Sequence, residues 1–178
     1  MSLVELLCAL LILMLVSTGL VTGVQLGVNQ YAKSMRSSES KILYSTLSSI
    51  ISNELRYSTD ITVDASGNLV DFQAVSYGQR TYKDSTLTRS FRSMTDEDTY
   101  TAGYGKLYYG TANDADTKDN LLGAASYTYG LTAMVSSIVY DSENAMFTVQ
   151  LDIGWNQESY YSGQFQVHNL AGTTAKVR

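Results

Sequence analysis

Leu6–Val16 reads LLCALLILMLV, a run without one polar side chain. The chain continues as STGLVTGVQLGV to Val28, and the first charge after Glu5 is Lys33. A membrane-crossing helix needs about 20 predominantly apolar residues, and this segment supplies that length. Downstream the chain turns polar, rich in Ser, Thr, Gly, Tyr and Asp. Over residues 1–55 the charges cancel, with Glu5, Glu39 and Glu54 against Lys33, Arg36 and Lys41. The net charge of -5 therefore sits on residues 56–178. The pattern reads as an apolar anchor followed by an acidic, water-facing head.

Composition narrows the function classes. The chain has 178 residues, of which 16% are charged, enough for one domain and one additional long element. An acidic chain without a basic run argues against direct nucleic-acid binding, which draws its affinity from Lys/Arg–phosphate contacts. One cysteine excludes an internal disulfide framework and any Cys-rich zinc site. One histidine excludes a His-cluster metal site. Cys8 lies inside the apolar run, away from the electropositive, exposed setting a reactive thiol needs.

Glu5 is the exception in the N-terminal segment. A secretory signal carries a basic n-region and a small-residue cleavage site. Here the one charge before the run is acidic, and no such site follows it. A carboxylate beside a membrane-length apolar run is costly unless paired, which makes it a functional candidate.

Met1-Ser2-Leu3-Val4-Glu5-Leu6-Leu7, leading into an apolar helix, resembles the mature N-terminus of type IV pilins and pseudopilins. The likeness is specific over residues 1–30 and fades through an amphipathic helix to Tyr57. It implies a long N-terminal α-helix packed on an antiparallel β-sheet head, an α+β fold. It also implies a chain already trimmed by prepilin peptidase and N-methylated at Met1. Met1 and Glu5 would then be assembly residues, the Glu5 carboxylate pairing with the Met1 amine of a neighbouring subunit. The implied life cycle begins as a single-pass protein of the cytoplasmic membrane and ends in an extracellular filament. The implied partners are identical subunits, prepilin peptidase, a platform membrane protein and an assembly ATPase. No cofactor or catalysis follows from the resemblance. A minor pilin, or a pseudopilin of a secretion or competence machine, shares the same N-terminus. A monomeric membrane-anchored binding module is the rival from another class.

The expected domain plan is a helix over 1–57 and a soluble β head over 58–178. Within the helix, 1–28 is the membrane or filament-core segment and 29–57 is amphipathic. Leu43, Leu47, Ile50, Ile51 and Leu55 form the stripe that should face the sheet, with Tyr31, Met35 and Ile42 extending it upstream. Gly19, Gly23 and Gly27 recur every four residues. They read either as a close-packing stripe or, with Ser17, Thr18 and Thr22, as a weak segment. The chain has no proline, whereas many type IV pilins carry one here, so glycine is the expected agent of local unwinding within 17–27 in a filament.

In the head, strands are expected at Asp60–Asp64, Leu69–Val75, Leu87–Arg92, Lys106–Tyr109 and Gln164–Leu170. A hairpin of Val135–Tyr140 and Ala145–Ile153 turns at Asp141-Ser142-Glu143-Asn144. Thr95–Ala125 reads as a loop region with little regular structure. Asp114, Asp116 and Asp119 place oxygen ligands near calcium spacing. Lys118, a missing glycine and a missing late glutamate make them a weak metal candidate. His168 has no nucleophile at a catalytic spacing. Eight head tyrosines, Tyr100, Tyr104, Tyr108, Tyr109, Tyr127, Tyr129, Tyr160 and Tyr161, read as sheet packing or as a contact surface.

Overall fold

The computed structural model describes residues 3–73, 88–96, 99–101, 103–110, 119–172 and 174–178. Helix α1 spans Leu3–Arg56. By its contacts the chain forms two units, residues 1–38 and residues 39–178. The second unit holds the end of α1 and all the strands among the described residues. The fold is α+β, a long N-terminal helix with antiparallel sheets.

In the second unit, Ser40, Leu43, Leu47, Ile51 and Leu55 are the buried residues of α1. Their spacing of three and four keeps them on one face. Leu47, Ile51 and Leu55 are fully buried, each contributing about 1.5–3 kcal/mol by leaving water. Ile50 is half-buried at the margin. Ile42 does not extend this stripe: it is exposed, because it lies a 100° step round the helix from Leu43.

The strands are β1 (Thr59–Val63), β2 (Leu69–Gln73), β3 (Thr88–Asp96), β4 (Thr99–Thr101), β5 (Lys106–Gly110), β6 (Asp119–Asn120), β7 (Thr132–Asp141), β8 (Met146–Trp155), β9 (Glu158–His168) and β10 (Lys176–Val177). They form two sheets rather than the single antiparallel sheet expected from sequence. One runs β10-β1-β2-β3-β5-β6 with β4 paired to β3; the other is β7-β8-β9. Among the described residues all strand pairings are antiparallel except β10 with β1, which is parallel. Single bridges Asn68–Val139 and Gly105–Ala133 join the sheets along β7. Gly105 is required at that seam, because a Cβ there would fall 2.3 Å from the Met94 carbonyl oxygen.

Both sheets and the helix share one core. It contains Ile61, Phe72, Leu107, Phe147, Val149, Leu151 and Ile153 around Leu47, Ile51 and Leu55. Phe147, Val149, Leu151 and Ile153 alternate along β8, and all are fully buried, as period two requires. The expected strand at Lys106–Tyr109 is β5, and the 95–125 region is otherwise more regular than its polar sequence implies, since β4, β6 and the start of a 3-10 turn at Ala124–Ser126 also lie there. Val75, expected at the end of the second strand, is outside the described residues.

Candidate functional site

The first unit is candidate by virtue of its surface. Every large apolar side chain from Leu3 to Val28 is more than half exposed. The exposure is not confined to a stripe; it runs round the helix. A helix apolar on all sides is one that belongs inside a bilayer or among other helices, and an exposed apolar surface of this extent marks an interaction site. The helix has the length and composition to cross a membrane.

The hydroxyls of Ser17, Thr18 and Thr22 are folded back onto this segment. The Ser17 hydroxyl donates to the Leu13 carbonyl at 2.8 Å. Thr18 reaches the carbonyls of Met14 and Leu15 at 3.1 and 2.9 Å, and Thr22 that of Thr18 at 2.8 Å. These bonds hide the hydroxyls from an apolar surrounding. Residues 17–27 are helical here. A Cβ added at Gly19, Gly23 or Gly27 would meet nothing within 4 Å, so no contact within the chain calls for glycine there.

Glu5 stands in the first turn of α1. The open backbone N–H groups of a helix start favour a carboxylate at that position. Met1, its expected partner in a neighbouring subunit, is outside the described residues. Cys8 is exposed with the rest of the apolar run. Asp114 and Asp116 are also outside the described residues. Asp119 pairs with Tyr109 through the β6–β5 backbone. Among the described residues no group of three or more His, Cys, Asp and Glu side chains gathers to hold a metal. His168 ends β9 opposite Met146 and is exposed.

Two buried polar arrangements in the head escaped the sequence reading. The buried Asn169 amide donates to the carbonyls of Leu55 and Ser58 at 3.2 and 2.9 Å, and to the Ser58 hydroxyl at 3.0 Å. Its own carbonyl accepts from the Gly172 N–H at 3.0 Å. The next backbone N–H, Leu170, donates to the Arg56 carbonyl at 2.8 Å. Carbonyls left open at a helix C-terminus are thus satisfied by residues more than a hundred positions away. The second is Tyr127, whose hydroxyl accepts from the Leu107 N–H at 2.9 Å. Burial pushes its pKa up to about 12. The tyrosines therefore divide: Tyr108, Tyr109 and Tyr127 belong to the core, whereas Tyr129 is half-exposed.

Comparison with protein-family models, with curated proteins and with solved structures returned no match.

Proposed function

We propose that the chain is a structural subunit that polymerises through its N-terminal helix. More particularly, we read it as a type IV pilin-like subunit, held in the cytoplasmic membrane before assembly and extracellular after it. The observation that carries the reading is the all-round apolar surface of residues 3–28 beside one carboxylate at position 5. A bilayer would satisfy the apolar surface and penalise the charge. A bundle of identical helices satisfies both, because each Glu5 meets the amine of a neighbour's Met1. Removing one member of such a pair strands a buried charge, at a cost of about 3–5 kcal/mol, so the pair also sets the register between subunits. The head, whose core is complete within residues 39–178, forms the outside of the fibre. Prepilin peptidase, a platform protein and an assembly ATPase are the machinery this reading requires.

The test is mass spectrometry of the N-terminal peptide from material sheared off whole cells. An N-methylated Met1 in a sedimenting, sheared fraction is the expected result. A longer, unmethylated N-terminus confined to membranes would refute the polymer and leave an anchored head.

A further inference from the structure

At the end of the head carrying the β8–β9 turn there is a groove of about 230 Å³, lined by Tyr104, Lys106, Thr132, Asn156 and Gln157 over Met94. The geometry points to a binding site for a saccharide that carries a carboxylate. The inference goes beyond the filament reading and stands on the head alone.

The groove combines three kinds of contact. The first is an aromatic wall. The Tyr104 ring lies directly on Gly154, where a Cβ would come within 2.6 Å of it, so the ring is fixed by the backbone beneath it. A fixed tyrosine offers a flat apolar face and a hydroxyl, which suits the C–H face and rim of a pyranose. The second contact is a pair of amides. Asn156 and Gln157 each supply donors and an acceptor, enough to bond adjacent sugar hydroxyls. The third is a cation, Lys106, which has no ion-pair partner among the described residues. Among the described residues Lys106 is the one charged group in the lining, and it favours an acidic ligand over a neutral one.

The turn supports a ligand role independently. Asn156 and Gln157 both have positive φ, 52° and 66°. Two-residue hairpin turns of this kind favour glycine at the second position. A glutamine held there is strained, and such strain collects where a side chain serves a ligand. Gln157 lines the groove. Trp155, the single tryptophan of the chain, adjoins the turn and meets Tyr160 edge-on at 6.4 Å. It gives the site an intrinsic reporter.

The experiment titrates the full chain in detergent micelles with glucuronate, glucose and acetate, following Trp155 fluorescence. Glucuronate should give a saturable change in the millimolar range. Glucose should bind about tenfold more weakly, as expected for loss of one charge-assisted contact, and acetate should give no response. Lys106→Gln should reduce glucuronate to the level of glucose. Gln157→Gly should weaken glucuronate binding while the melting temperature stays level or rises, because the strain is relieved. A merely structural glutamine would give the rise in stability with binding unchanged. The proposal is overturned if glucuronate gives no saturable response, if acetate matches it, or if both variants bind as the parent does. None of these outcomes depends on whether the helix polymerises.

Discussion

The two units of the chain use the same apolar residues to opposite ends. Leu10, Leu13 and Leu15 in the first unit are more than half exposed, whereas Leu43, Leu47 and Leu55 in the second are buried. The difference lies in spacing. In the head half of α1, apolar residues recur at three and four, and polar residues fill the other faces. One sheet-facing stripe then suffices to bury them. Over Leu6–Val16 in the first unit no face is polar, so no single surface can cover it. Apolar content alone therefore does not make a core; periodicity decides whether a segment is buried by its own chain or requires other molecules.

The sharpest way to break this comparison is Glu5→Ala. Sheared surface material should drop more than tenfold, following the cost of a stranded partner charge. Membrane content and the melting of the head should be unchanged. Normal fibres from this variant, measured by shearing and immunoblot, would defeat the pairing argument. In the head, Leu47→Ala removes a fully buried side chain from the centre of the core. It should lower the head's free energy of unfolding, measured in urea, by about 2–5 kcal/mol, whereas Leu13→Ala should leave the head's transition where it was. An equal effect of the two would erase the distinction between the units.

Asn169→Ala should come next, at about 1–3 kcal/mol, because several buried polar groups lose their partner at once. Asn169→Asp would show whether geometry alone suffices, since an acceptor-only carboxylate cannot donate to the Leu55 and Ser58 carbonyls. The smallest effect should come from acid. Asp64 is held below the usual carboxylate range, first by the Asn68 side chain and then by backbone N–H groups. Asp141 is held low in the same manner by Asn144, then by the Glu143 and Asn144 N–H groups. A carboxyl with a depressed folded value contributes stability above its unfolded titration range and loses it as pH falls through the folded value. The melting temperature should decline as the pH is lowered through that window, with less decline in Asn144→Ala. A melting temperature that stays flat as the pH falls from the unfolded titration range through the depressed folded values would show that these turns contribute nothing.

The helix was legible in the sequence because its signal is local. Leu43, Leu47, Ile51 and Leu55 announce their face by spacing. The late hairpin was legible for the same reason, through Phe147, Val149, Leu151 and Ile153, although β7 begins at Thr132 and β9 at Glu158, earlier than the expected Val135 and Gln164. What could not be read is what depends on distant pairing. β4 and β6 are short and polar, with no alternation to mark them. The parallel match of β10 with β1 joins residues more than a hundred positions apart, and nothing in Lys176-Val177 advertises it. The expected last strand ran to Leu170, but β9 stops at His168, because Asn169 turns inward to the end of the helix. For the site, Glu5 and the apolar run were plain from sequence. The groove at the β8–β9 turn was not, because Tyr104, Lys106, Thr132 and Gln157 converge only once the sheets meet at Gly105.

The junction at Asn169 also fixes an order in time. Ser58 is synthesised 111 residues before the side chain that holds it. On the ribosome the apolar segment is complete, and must already be shielded, long before the head can close. Contacts of such sequence separation form slowly. The first shelter that residues 3–28 find during synthesis therefore has to act before the head can have acquired its shape.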